Sequence, residues 1–287
     1  MRALFLGGHT FDMVYRLDTL PAENAKAKAD RVYTAAGGPA LNAAITAAIL
    51  AGSSDHSIVF AGALGQGPLT EAVQAEAEGH GVILHRLGAR TGDAPCASIA
   101  LTPGGLRTIW SPPQAETPEG ALDDLPAPQG FDVLLVDGQL PDAAVSAARA
   151  FRAAGRPVVL DAGSWKPGME ALTGLATEII ASSAFAVPEG GDVLARALEA
   201  GAQAAAVTAD GAAIRWRTAH GGKGAVTPPA VDARDTLAAG DIFHGAYVWF
   251  RYGAGLPFDR ALAEAARVAS SSVVHYGPRA GVVAARS

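Results

Sequence analysis

Short apolar runs and amphipathic stretches follow one another along most of the chain, and this pattern predicts repeated strand–helix units. The first run, residues 3–7, ends at two glycines, as a central strand of a parallel sheet often does. Repeated units of this kind imply a mostly parallel sheet with right-handed crossovers, covered by helices on both faces. The further predicted strands are 58–61, 82–84, 133–136, 157–160, 178–181, 205–208 and 213–217. The predicted helices are 43–52, 69–78, 143–154, 193–200, a helix following residue 240, and 257–274.

Two pairs of short alternating segments interrupt this pattern, and alternation is typical of strands with one open face. The second pair flanks Pro103-Gly104-Gly105, which predicts a hairpin turn. We therefore predict a small β-sheet lid, formed by about residues 13–36 and 94–111, on a single domain that spans residues 1–287. The four segments are 14–17, 31–34, 97–101 and 106–110.

The composition narrows the class of protein. Hydrophobic residues make up 49% of the 287 residues and charged residues 17%, which suits an extensively buried sheet. The net charge of −6, with no dense group of Lys or Arg, argues against a nucleic-acid partner. There is no apolar run long enough for a signal peptide or a membrane span, so we expect a cytoplasmic protein. The single cysteine, Cys96, is predicted to be a buried structural thiol.

Residues 235–246 predict an irregular loop that runs directly into a helix. The small residues Ala238, Ala239 and Gly240 would leave the first N–H groups of that helix open to an anion. The carboxylate of Asp241 beside them could accept a proton from a nucleophile. The helix dipole alone also favours an Asp in a first turn, so a purely structural explanation stays open.

A second polar group lies near the amino terminus. Gly37 and Gly38 allow a ligand to touch the backbone, and Asn42 offers a donor and an acceptor in the first turn of the next helix. Asp12 follows the first strand, where ligands of open α/β sheets collect, and could accept hydrogen bonds from hydroxyl groups. Helix capping by Asn42 and a turn at Asp12 are the structural alternatives.

Together these two groups resemble the signatures of the ribokinase/PfkB family of carbohydrate and nucleoside kinases. Residues 37–44, Gly-Gly-Pro-Ala-Leu-Asn-Ala-Ala, are similar to the family's Gly-Gly-x-x-x-Asn-x-Ala. Residues 235–243, Asp-Thr-Leu-Ala-Ala-Gly-Asp-Ile-Phe, are similar to its Asp-Thr-x-Gly-Ala-Gly-Asp-x-Phe. Residues 107–109 and 182 look like ketohexokinase-type members, whereas residues 243–246 and 277–281 look closer to sulfofructose kinase.

The resemblance implies a ribokinase-like, three-layer, doubly wound fold and ATP-dependent phosphorylation of a hydroxymethyl group on a small sugar. It implies Mg²⁺ as well, and leaves open whether a monovalent cation is also required. Asp241 would be the base, and the N–H groups of Ala238, Ala239 and Gly240 would stabilise the transferring phosphoryl group. The implied sugar-binding residues are Asp12, Gly37, Gly38, Asn42 and Arg107. The implied nucleotide-binding residues are Ser182, Thr208, Asp210, Gly211, Asp235, Thr236 and His275.

Two departures from the family pattern leave questions open. Ala238 replaces a glycine, although alanine is compatible with helical dihedral angles. Residues 182–185 replace the usual Asn-x-x-Glu, so the metal ligands stay unassigned. A ketose-like sugar is favoured, with an anionic sugar, a nucleoside kinase and a non-catalytic sensor as alternatives. A homodimer formed through the lid is expected.

Overall fold

The structure is a computed structural model that describes residues 1–52, 55–113, 116–188 and 190–286. Within these ranges the strands β1 to β13 are Arg2–Leu6, Thr10–Arg16, Arg31–Gly37, Ser57–Gly62, Val82–Arg86, Cys96–Thr102, Leu106–Trp110, Val133–Val136, Val158–Ala162, Glu178–Ser182, Ala204–Ala209, Ala212–Thr218 and Lys223–Val226. The helices α1 to α8 are Pro39–Ala51, Pro68–Gly79, Pro141–Ala153, Met169–Leu175, Val193–Glu199, Ala239–Val248, Phe258–Val273 and Ala280–Arg286. A π-helical turn, Trp249–Gly253, continues α6.

Nine strands form the main sheet, in the order β13-β12-β11-β10-β9-β8-β1-β4-β5. The seven strands from β11 to β5 run parallel, and β12 and β13 are added antiparallel at one edge. Ala3 and Phe5 of β1 pack into the apolar core beneath α1, α6 and α7. Leu4 and Leu6 point to the opposite face and pack into the core beneath α3, α4 and α5. The predicted three-layer α/β architecture is confirmed.

A separate four-stranded sheet has the order β3-β2-β6-β7. Strand β2 pairs antiparallel with β3 and parallel with β6, and β6 and β7 form the predicted hairpin. Gly104 and Gly105 in its turn have positive φ angles of 79° and 72°, which glycine adopts readily. The predicted small sheet is confirmed, and its action as a lid stays a prediction.

Several local predictions were wrong. Helices α4 and α8, each seven residues long, were not predicted. Residues 277–281 lead into α8, which begins at Ala280. Strand β13, Lys223–Val226, at the edge of the main sheet was also not predicted. Cys96 is exposed on β6 rather than buried.

None of the described helices is both long enough and apolar enough to cross a membrane.

Helices α1 and α6 pack with their backbones unusually close. A Cβ atom added to Gly245 of α6 would lie 2.2 Å from the carbonyl oxygen of Ala43 in α1. Only glycine permits this approach, because backbone atoms cannot rotate away as a flexible side chain can. The contact matters for the site, since α1 carries Asn42 and α6 carries Asp241.

We predict that Gly245→Ala lowers the free energy of unfolding by about 2–3 kcal/mol, because the new methyl group forces the two helices apart. Gly174→Ala is the matched control, since a Cβ there would meet no atom within 4 Å. The control should be neutral or stabilising by up to about 1 kcal/mol. Urea unfolding of both variants measures the difference, and equal stabilities would contradict the proposed close contact.

Candidate active site

A cavity of about 570 Å³ opens where the two sheets meet the first turn of α6. Both groups of residues predicted from the sequence contribute to its wall, although they are separated by about 200 positions in the chain. The predicted site residues that line it are Asp12, Gly38, Asn42, Arg107, Ala238, Ala239, Gly240 and Asp241. Gly37 lies next to them at the end of β3. The structure therefore brings together all residues predicted for the base, the anion loop and the sugar.

Asp241 lies in the first turn of α6, where its carboxylate faces this cavity. The side-chain amide of Asn42 donates a hydrogen bond to its Oδ2 atom at 2.8 Å. Burial, followed by the nearby negative charge of Asp161, raises the pKa of Asp241 to about 7. The hydrogen bond from Asn42 and the proximity of His244 oppose this increase. A carboxylate with a pKa near neutrality can both accept a proton and release it again.

Ala238 precedes the first turn of α6 with φ of 60° and ψ of 12°, in the left-handed region. The prediction that alanine would fit here with ordinary helical angles was therefore wrong, and the backbone is strained at this position by about 1 kcal/mol. The Ala238 carbonyl still accepts the first helical hydrogen bond, from the N–H of Ile242 at 2.8 Å. A Cβ added to Gly240 would meet no atom within 4 Å, so a ligand can approach this loop closely.

Asp12 lies inside β2 of the small sheet rather than in a loop after β1, as its position in the sequence had suggested. Its buried carboxylate accepts a hydrogen bond from the Thr10 hydroxyl at 2.6 Å, and burial raises its pKa. A Cβ added to Gly37 would lie 2.1 Å from Asp12 Oδ2. One added to Gly38, whose φ is 93°, would lie 2.5 Å from the Cα of His9. Gly37 is therefore required for the backbone to pass beside Asp12, and Gly38 for it to pass beside the backbone of residues 8 and 9.

Arg279, which was not among the predicted site residues, fixes the orientation of Asn42. Its guanidinium donates to Asn42 Oδ1 at 2.8 Å, to Glu76 Oε1 at 2.8 Å and to the carbonyl of Ala36 at 2.6 Å. Glu76 in turn accepts the N–H of Ala36 at 2.6 Å. Because Arg279 occupies the amide oxygen of Asn42, the amide nitrogen is left to donate to Asp241.

His244 and Asp161 form a second supporting group that the sequence reasoning did not assign to the site. Both side chains are buried. The Nδ1 atom of His244 lies 2.8 Å from the carbonyl oxygen of Gly240 and 3.4 Å from Asp161 Oδ2. Its Nε2 atom lies 3.2 Å from the carbonyl oxygen of Ile180. His244 thus links the anion loop to two strands of the main sheet, a role that its place one turn after Asp241 could have suggested.

Asp235 holds the start of the anion loop in place instead of lining the cavity. Its buried carboxylate accepts the N–H groups of Leu237 and Gly277, each at 2.9 Å. It also accepts a hydrogen bond from the Tyr33 hydroxyl. These contacts join the loop to the small sheet and to the segment that follows α7.

Thr236 connects the same loop to the hairpin of the small sheet. Its hydroxyl donates to the carbonyl of Gly105 at 2.5 Å and accepts from the Arg107 guanidinium at 2.7 Å. Arg107, predicted to bind sugar, therefore uses part of its hydrogen-bonding capacity inside the protein. Its position still borders the cavity.

Ser182 and Thr208 lie side by side at the ends of β10 and β11. The Ser182 hydroxyl donates to the carbonyl of Gly163 at 2.7 Å, and Ser182 lines a second, smaller cavity of about 220 Å³. Asp210 and Gly211, with φ angles of 34° and 87°, form the two-residue turn between β11 and β12. An Asp-Gly pair with two positive φ angles is a common hairpin turn, so local geometry alone accounts for both residues.

His275, the last residue predicted for the nucleotide, follows the end of α7. Its Nδ1 atom lies 3.0 Å from the carbonyl oxygen of Ser271, and it does not line either cavity described above. Among the described residues, no three His, Cys, Asp or Glu side chains converge as metal ligands. The buried carboxylate of Asp137 accepts hydrogen bonds from the backbone N–H groups of Gly8, Ala40 and Gln139 at 2.8–3.0 Å, so it serves to hold the backbone around the cavity.

Comparison with solved structures supports the fold. A protein from Agrobacterium tumefaciens, provisionally named a ribokinase, is 25% identical over 98% of this chain and 94% of its own, with a TM-score of 0.82. A ribokinase from Giardia lamblia is 15% identical over 99% and 97% of the two chains, with a TM-score of 0.83. A ribokinase from Arabidopsis thaliana, solved with ribose and ATP, is 20% identical over 99% and 98%, with a TM-score of 0.74.

The family profile described as pfkB family carbohydrate kinase matches residues 2–285, which is nearly the whole chain. The match includes both glycine-containing segments of the cavity and the helix that carries Asp241. This chain therefore belongs to the pfkB family of carbohydrate kinases.

Proposed function

We propose that the protein transfers the γ-phosphoryl group of ATP to a hydroxymethyl group of a small sugar. The observation that carries this proposal is the placement of Asp241, with a pKa raised to about 7, beside the open anion loop in one cavity. Similar folds support the choice of donor, since an Arabidopsis thaliana ribokinase was solved with ribose and ATP and a Xylella fastidiosa fructokinase with ATP.

In this mechanism Asp241 accepts the proton of the sugar hydroxyl while the hydroxyl oxygen forms a bond to the γ-phosphorus of ATP, and the bond from that phosphorus to the bridging oxygen breaks, so that ADP leaves. The backbone N–H groups of Ala238, Ala239 and Gly240 stabilise the charge that develops on the transferring group. Mg²⁺ bound to the phosphates would neutralise further charge, and it commonly keeps several water ligands in such sites. Asp12 and Asn42 orient the sugar through its hydroxyl groups, and the lid excludes water that would compete as acceptor.

The nucleotide is proposed to lie along the edge formed by β10, β11 and β12, which presents Ser182 and Thr208. The ketose-like sugar favoured from the sequence remains our proposal for the acceptor. We also propose a homodimer formed through the lid. Apolar side chains exposed on the small sheet support it, namely Val32, Leu106, Ile109 and Trp110.

A panel of sugars and nucleosides, assayed with ATP and Mg²⁺ by coupled detection of ADP, tests the proposed activity directly. Sugar-dependent ADP release is the expected result. Turnover with nucleosides but not with sugars would show that the acceptor is a nucleoside. Binding of a sugar or nucleotide without ADP release would indicate a sensor rather than an enzyme.

Asp241→Asn should reduce kcat by about 10²–10⁴-fold while sugar and ATP still bind, because the amide cannot accept the proton. In the wild-type enzyme the base is active only when deprotonated, so kcat should rise with pH up to about 7 and then level off.

The same variant should also differ from the wild type in stability. Since the raised pKa of Asp241 means that its charged carboxylate destabilises the folded protein, the free energy of unfolding of Asp241→Asn at pH 8 should exceed that of the wild type by about 1–3 kcal/mol. This difference should vanish near pH 4, where Asp241 is protonated in the folded protein. A variant with near-normal kcat would rule out Asp241 as the base.

Arg279→Met should lower kcat at pH 7 by about tenfold and shift the rise of kcat to higher pH, because a cation that favours the Asp241 carboxylate is lost. Arg279→Lys keeps the charge and should restore part of the pH profile. A loss of stability with an unshifted profile would show that Arg279 is only structural.

Ala238→Val should lower kcat by about tenfold and the free energy of unfolding by about 1–2 kcal/mol, since a β-branched residue tolerates positive φ poorly. Ala238→Gly relieves the strain and should keep kcat within about threefold of the wild type. Denaturant unfolding and initial rates measure both variants. If valine is accommodated as well as glycine, the left-handed conformation is not important for the anion loop.

A further inference from the structure

The end of the active-site cavity farthest from the nucleotide edge carries a positive charge without a partner. Five charged side chains line the cavity: Asp12, Arg90, Arg107, Lys166 and Asp241. Of the three cations, Arg90 makes no hydrogen bond or ion pair with the residues that the structure describes, whereas Lys166 lies near the buried carboxylate of Asp137 and favours its charged form.

The other two arginines nearest to this region are already engaged. Arg107 donates to Thr236, and Arg86 donates to the backbone carbonyls of Leu64 and Gly65. Arg90 differs from them, because its guanidinium is partly buried against a cavity and has no acceptor among the described residues. A guanidinium in such surroundings is stabilised when an anion occupies the cavity.

His9 adds a second observation at the same end. It is 5% exposed, it lines the cavity, and its Nε2 atom has no hydrogen-bond partner among the described residues. Burial, followed by the positive charges of Arg90 and Arg86, lowers the pKa of His9 to about 4. His9 is therefore neutral at pH 7 and does not add a positive charge beside Arg90.

The segment that carries Arg90 is firmly held on both sides. Asp93 accepts the N–H groups of Leu69 and Thr70 at 3.0 and 2.7 Å, which joins the segment to the start of α2. The N–H of Gly88 donates to Asp124 Oδ2 at 2.9 Å. Arg90 lies between these anchors, so the position of its backbone is set before a ligand binds.

Sheet order separates Arg90 from the proposed nucleotide site. Arg90 follows β5 at one edge, whereas Ser182 ends β10, five strands away. Neighbouring strands are about 4.8 Å apart, so the two strand ends are separated by roughly 24 Å. Arg90 is therefore placed to meet the acceptor sugar and not the phosphates of ATP.

We propose that Arg90, with His9 beside it, binds an anionic group of the acceptor sugar at the end remote from the phosphorylated hydroxyl. This rests on the proposed sugar kinase activity and names its substrate class, a sugar carrying a carboxylate, sulfonate or phosphate. The neutral ring of His9 supplies a further polar contact to the same group or to a neighbouring hydroxyl.

The test uses matched ketohexoses that differ only in the terminal group at C6, which is a hydroxyl, carboxylate, sulfonate or phosphate, and that all keep the C1 hydroxymethyl group as acceptor. Binding is measured without ATP by the ligand-induced shift in melting temperature, and turnover by ADP release. We expect at least one charged member to exceed its neutral partner by about tenfold or more in kcat/KM. Comparison of the carboxylate, sulfonate and phosphate members then identifies which anion is recognised.

Arg90→Gln should remove about tenfold or more of kcat/KM for the charged sugar and change the neutral one by less than about threefold. Arg149→Gln, an exposed change on α3 with the same loss of charge, is the matched control and should leave both unchanged. Charged sugars that bind selectively without turnover would support the subsite and contradict the kinase proposal. Neutral sugars used as well as their charged partners, or no selective binding of any charged sugar, would overturn the subsite.

Discussion

The close contact between α1 and α6 is the constraint on which the active site depends. Gly245 allows the α6 backbone to approach Ala43 of α1, at a distance that no side chain would permit. The contact aligns two groups that stand just before it: Asn42 is one residue before Ala43 on α1, and Asp241 is four residues, about one turn, before Gly245 on α6. The hydrogen bond of 2.8 Å between them is therefore a consequence of helix packing.

Helix packing alone does not decide the orientation of the Asn42 amide, which depends on buried charged groups. Arg279 binds the amide oxygen and is itself held by Glu76, so the amide nitrogen is directed to Asp241. The same guanidinium interacts favourably with Asp12 and Asp241. A cavity with two carboxylates close together is thus stabilised by a cation behind its wall, which leaves the wall itself free for a ligand.

Sequence reasoning found the elements whose signals are local. The parallel strands are continuous apolar runs, and Asn42 and Asp241 belong to motifs that could be read directly. Arg279 could not be placed in the same way, because it contacts Asn42 across 237 positions and only the folded chain brings them together. The left-handed backbone of Ala238 was also missed, since alanine gives no local signal for positive φ.

The loop from Asp235 to Asp241 joins every part of the site in one short segment. Asp235 is bound by Tyr33 of the small sheet and by the backbone of Gly277, while Thr236 is bound to the hairpin at Gly105. Five residues after Thr236 the same segment presents Asp241, the proposed base. Because residues 237–240 follow these anchors directly, a displacement of the small sheet would be transmitted to the anion loop. In the proposed mechanism, closure of the small sheet over the sugar is therefore coupled to the position of the N–H groups that stabilise the transferring phosphoryl group.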